Sequence, residues 1–248
     1  MRVFGLLFLA PLVACSPDYS AVRDWSSQAR DAVLPAEVTI RPIPAVIPVP
    51  PAPVTRDGQA GAAMALQEGA AAWLGMLAFL ADDGWPRQRE NPLADHVAKV
   101  QPYDAEGAAA LNDLGELMAY AARRNTRAPW LRTAIERGDP SFQKVMASLL
   151  RQSDALAAQG AAPALLELPR NATALQRALA EELAAARQAE AGRRRVARDA
   201  RAAAMARVAE GHAFMAAHTG DITKADTVRL LRVQEQELRR LTLLGVAG

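Results

Sequence analysis

Cysteine is almost missing from this chain: Cys15 is the only one in 248 residues. No internal disulfide can form, and no thiolate cluster can hold zinc or an iron–sulfur centre. Aromatic residues reach only 5%, and with few β-branched residues beside them the chain lacks the material of a large sheet. An excess of one charge is missing too. Lys and Arg number 29 against 27 Asp and Glu, a net +2, so charge gives no reason to expect nucleic acid as a partner. Proline stops at Pro169, leaving the last third of the chain free of the residue that breaks helices. What is abundant is alanine, more than a fifth of all residues, accompanied by Leu, Arg, Glu and Gln. These are the strongest helix formers, and the fold class they predict is all-α.

The first fifteen residues carry an address. Arg2 supplies a positive start, and Val3 to Pro11 forms a short apolar stretch. As a helix that stretch spans at most ~15 Å, half of a ~30 Å hydrocarbon core, so it does not anchor by crossing the bilayer. It is followed by Leu12-Val13-Ala14-Cys15, which resembles the lipobox of bacterial lipoproteins. The resemblance implies that residues 1–14 are a signal peptide removed on export and that Cys15 is acylated as the first mature residue. It also implies that lipid on Cys15 ties the protein to a membrane. In that family an aspartate after the cysteine often retains the protein in the inner membrane. Ser16 stands there instead, which implies the outer membrane and its periplasmic face. Acylation also accounts for a lone cysteine in an exported chain.

Behind the cysteine, residues 15–34 read as an anchored amphipathic helix, with Val22, Trp25, Ala29 and Val33 on one face. Docking on the body is the plainer expectation, and a place at the membrane surface is the alternative. Prolines at 35, 42, 44, 48, 50, 51 and 53 make residues 35–58 a Pro-rich linker, expected to act as a semi-rigid strap between anchor and body. Residues 59–248 read as an elongated helical bundle ending in a long helical hairpin. A first helix from Ala60 to Ala81 has Leu66, Ala70, Trp73, Leu77 and Leu80 on one face. Its length invites a transmembrane reading, but Glu68 at its middle would cost about 3 kcal/mol in a bilayer. It is read instead as the central buried helix, with Glu68 expected to be buried and paired to an arginine.

Further helices are expected from Asp104 to Arg124, from Pro129 to a stop at Gly138, and from Asp139-Pro140 to Gln159. Thr173 and Gln176 have the spacing of a capping box. From there a spine of residues 172–217 should run unbroken to a turn at Gly220-Asp221, with residues 225–244 folded back on it. Its inward row is Ala186, Ala189, Ala197, Ala200 and Ala204. The returning helix covers less than half the spine, so the three preceding long helices are expected to cover the rest.

Chemistry is sparse. Arg187, Arg194, Arg198 and Arg201 fall within ~60° of one face of the spine and form a candidate anion-binding stripe, balanced by Glu181, Glu190 and Asp199. His212 and His218 stand ~240° apart on a helix, wrong for sharing one ion. No His-Glu-x-x-His, Gly-x-Ser-x-Gly or phosphate-loop pattern occurs. The reading is a lipid-anchored, non-catalytic binding or scaffolding protein of the cell envelope, with no cofactor or metal. Its expected partner is another envelope protein or an anionic envelope polymer. The rival reading is an envelope hydrolase with an acidic site around Glu68 or His96. Finally, Tyr19 to Trp25 and Ala209-Glu210-Gly211-His212 are similar to landmarks in uncharacterised bacterial helical lipoproteins, which implies a layout and no activity.

Overall fold

The computed structural model describes residues 17–34, 54–84, 86, 90–123, 128–158 and 173–247. Cys15, the expected signal peptide (residues 1–14) and the prolines from 35 to 53 lie outside the described residues. Within them the regular structure is helical: α1 (Ser20–Val33), α2 (Val54–Ala81), α3 (Ala94–Val100), α4 (Ala105–Arg123), α5 (Ala128–Ala158), α6 (Ala174–Ala217), a 3-10 turn at Thr219–Asp221, and α7 (Ala225–Ala247). The all-α class and the helical bundle follow directly from this composition.

The amphipathic helix docks on the body. Val22, Trp25, Ala29 and Val33, the face read from the sequence, are fully buried in one core that also takes residues from α2, α4, α5, α6 and α7. Arg232 of α7 reaches across to Asp24 at 2.5 Å and fixes α1 against the hairpin. Residues 20–33 therefore pack in the same core as the later helices. The strap expected over residues 35–53 lies outside the described residues. The linker boundary also moves, because α2 begins at Val54, six residues before the expected start. Helix propensity alone puts the start later, at Ala60, because Asp57, Gly58 and Gln59 favour it less than the alanines that follow.

In α2 the expected face is buried throughout, from Leu66 to Leu80. Gly58–Ala81 is long and apolar enough to cross a membrane, yet 67% of its most apolar window is buried inside the bundle. Close approach explains the small residues: a Cβ on Gly69 would meet Leu111 Cδ2 of α4 at 2.4 Å. The helix ends where Asp83 takes φ 54°, the left-handed conformation that lets Gly84 N donate to Phe79 O at 2.8 Å.

The two helices expected around Gly138 and Pro140 are one. Helix α5 runs straight through both. Gly138 is not a stop; it makes room for Trp73, whose Cζ2 would lie 2.1 Å from an added Cβ. Pro140 leaves the Glu136 carbonyl without its helical amide. The helix survives because its core face is gripped on both sides of the proline, by Leu131, Ala134 and Ile135 before it and by Phe142, Val145 and Met146 after it.

Antiparallel packing orders the bundle along one axis. Arg23 of α1 meets Asp82 at the end of α2 (3.1 Å), and Arg132 near the start of α5 stacks on Tyr19 at 6.0 Å. Thr219 donates to Glu136, one turn from Arg132. Pro17, the end of α2, the start of α5 and the hairpin turn thus share one pole. From that turn α6 leads away, and α7 accompanies it until Gly245 comes level with Ala197.

Beyond that level α6 is on its own. Its 44 residues are about 66 Å of helix, started by the capping box at Thr173 and Gln176. No residue from 173 to 203 is buried. The expectation that α2, α4 and α5 cover this half is overturned. Ala186 and Ala189 are exposed, Ala197 and Ala200 half-buried, and only Ala204 of the row is buried. The reason is axial position: α5 meets α6 between Ala209 and Thr219, so the bundle sits at the far end of the spine. Residues 174–203, none of them buried, form an arm of about 45 Å whose last stretch, from Ala197, still lies beside α7.

Candidate functional site

The arm carries the arginine row. Arg187, Arg194 and Arg198 are exposed, with Arg194 bonded to Glu190 at 2.8 Å and Arg198 3.8 Å from Asp199. Arg193 shares Glu190 at 2.6 Å, and these two arginines hold the Glu190 carboxyl below its usual range. Arg201 departs from the row. It is half-buried, its Nη2 has no hydrogen-bond partner, and burial lowers its guanidinium from the ordinary value. Three guanidiniums of the four therefore face solvent together, over about 17 Å of helix.

On the neighbouring side of the same arm stand three leucines. Leu175, Leu179 and Leu183 are 80%, 63% and 40% exposed. Counting ~100° per residue, Leu175 and Leu179 lie on the side that lower down presents Ala197, Ala204 and Gly211 to α7 and the core. The buried face of α6 thus continues past the end of α7 into water. Glu190 and Arg193 interrupt it, and they are paired with each other.

Glu68 is not buried. It is 45% exposed, and its partner is His96 Nε2 at 3.1 Å instead of an arginine. The buried polar residue of that stretch is its neighbour Gln67. One position around a 3.6-residue turn decides which of the two faces the core, and an almost uncharged helix gives little to fix that phase. The His96–Glu68 pair ties α3 to α2.

The most constrained polar group had no signal in the local sequence. His212 of α6 is fully buried where α2 and α5 meet it. Trp73 Nε1 donates to His212 Nε2 at 3.1 Å, and His212 Nδ1 lies 2.8 Å from Asp139 Oδ1. An indole nitrogen can only donate. His212 Nε2 must then accept, so the ring is neutral and its proton sits on Nδ1, donated to Asp139. Phe142 stacks on the ring at 4.4 Å. Gln143 Nε2 donates both to Asp139 Oδ1 and to the Ala209 carbonyl, each at 2.9 Å. Burial pushes the His212 pKa down, outweighing the opposite pull of Asp139. Burial pushes the Asp139 carboxyl up, but the bonds from His212 and Gln143 more than reverse this and leave it below its usual range. The trio closes α2, α5 and α6 on one another, with Trp73 and His212 fully buried and Asp139 at 22% exposure on its outer edge. The sequence contained all three residues, separated by 66 and 73 positions, and nothing local connects them.

Among the described residues no three His, Asp or Glu side chains converge as a metal site requires. Cys15, the candidate lipidation site, lies outside them. Comparison with known proteins matches no family model, no curated protein and no solved structure.

Proposed function

We propose that this chain is a lipid-anchored envelope protein that binds or scaffolds another envelope component without catalysis. Cys15 carries the lipid, residues 1–14 are removed, and the body faces the periplasm from the outer membrane. The observation that supports this reading is the polarity of the bundle. Pro17, two residues from Cys15, stands at one pole, and the arm of residues 174–203 leaves from the other. A protein tethered at Cys15 is thereby held close to the bilayer, because α1 is part of the core and leaves almost no slack. The arm then extends away from the membrane with its leucines and arginines on display.

The body offers packing surfaces around the buried His212, and the arm displays Leu175, Leu179 and Leu183 beside its arginines. Such a division suits a spacer that presents a binding helix at a fixed height. Incorporation of labelled palmitate, compared with Cys15→Ser, tests the anchor. Equal labelling of parent and variant would end this reading, as would recovery of the parent in the soluble periplasmic fraction.

A further inference from the structure

The arm raises a specific question: what covers the face that α7 leaves bare? We propose that residues 175–198 of α6 dock an amphipathic helix of a partner protein, one with acidic residues along one flank, which continues the track of α7. This rests on the binding reading above and names the chemistry of its partner.

The first support is continuity with an interface the fold already makes. Lower on α6, the side bearing Ala204 and Gly211 is covered by α7 and α1; an added Cβ on Gly211 would meet the Trp25 ring at 2.3 Å and Gln234 Oε1 at 2.9 Å. The cover stops where Gly245 passes Ala197. Leu183 stands fourteen residues, about 21 Å, above that level, beyond the reach of α7. The small residues there, Ala186 and Ala189, both exposed, leave room for a close-packed helix.

The second support is charge. Arg187, Arg194 and Arg198 flank the leucines on one side only. Exposed pairs such as Arg194 with Glu190 contribute little, so these guanidiniums can change partner at small cost. A helix bearing Asp or Glu on the matching flank offers them those new partners. A second copy arranged in parallel would set Glu190 against Glu190 and Arg193 against Arg193 within the seam, which disfavours that occupant.

The test places a photoactivatable p-benzoylphenylalanine at Leu179 or at Arg195, about half a turn away, in the full-length protein in intact cells. Position 179 is expected to give a product with another envelope protein, with the crosslinked peptide mapping to an amphipathic helix carrying acids on one flank. Position 195 is expected to give at least tenfold less. Arg187→Glu, Arg194→Glu and Arg198→Glu together should cut the 179 product at least tenfold without moving the melting temperature, since the arm carries no core. A product of twice the chain mass, a lipid adduct alone, a mapped peptide lacking acids, insensitivity to the charge reversal, or no product at 179 would each overturn the proposal. A partner captured at 195 and not at 179 refutes this docking face and leaves the tethered scaffold standing.

Discussion

Replacing Gly138 with alanine ought to stabilise an ordinary helix by about 0.8–1 kcal/mol. Here it should do the reverse. The new Cβ would lie 2.1, 2.6 and 3.1 Å from Trp73 Cζ2, Cη2 and Cε2, so the indole must retreat by more than an ångström. It is fully buried, and its Nε1 is committed to His212. Overpacking of this kind costs about 1–3 kcal/mol, and a retreat that breaks the indole–imidazole bond strands two buried polar atoms at about 1–3 kcal/mol more. Set against the propensity gain, the expected net loss is about 1–5 kcal/mol. For a body near 200 residues that is a fall of about 3–15 °C in melting temperature, read by far-UV circular dichroism. Gly192→Ala is the matched control on the exposed arm and should not lower the melting temperature. A Trp73→Phe change removes the colliding edge, so in combination with Gly138→Ala the losses should be less than additive. If Gly138→Ala melts with the parent, the close contact of α5 on Trp73 is wrong, and with it the account of why α5 passes through Gly138.

Other perturbations separate arm from body and locate the acid limit. Proline at Ala189 should shift melting by no more than a degree or two, whereas proline at the buried Val208 should cost about 3 kcal/mol or more and melt the body early; equal effects would deny that the arm stands free. Thr173→Ala removes the capping box and should reduce helicity at the arm tip by an amount worth about 1 kcal/mol, leaving the body transition unmoved. His212 has a lowered pKa in the fold, so the unfolded chain takes up its proton first. Stability should therefore fall as pH drops below about 6.5, by up to about 1.4 kcal/mol per pH unit. Asp139, also lowered, adds a second loss below its unfolded value of 3.8. Denaturant midpoints for the parent and His212→Asn across pH 4–7 check this, and a parent curve as flat as the variant's would refute it.

How much of this was legible in the sequence depends on distance along the chain. The face of α1, the buried face of α2, the capping box at Thr173 and the unbroken spine were all readable, because each is set by residues within a turn or two. Gly138 and Asp139-Pro140 misled for the same reason. Locally they spell a stop and a start, and only Trp73, 65 residues earlier, explains the glycine. The trio of Trp73, Asp139 and His212 is wholly tertiary and was invisible. The cover of the spine was misjudged because helix lengths state how much α5 could cover, not where along α6 it begins.

The free length of α6 has a mechanical consequence. Its lower part is held by α5 near His212 and by α7 up to Ala197, and its tip lies 23 residues beyond Ala197, about 35 Å away. A rigid rod held at one end acts as a lever: a tilt of roughly 5° at the clamp, the size of an ordinary packing adjustment between helices, sweeps the tip through about 3 Å. Strain entering at the clamp, whether through α1 or from a change in the polar trio, is amplified toward Leu175. Load applied at the tip returns to the clamp with the same mechanical advantage.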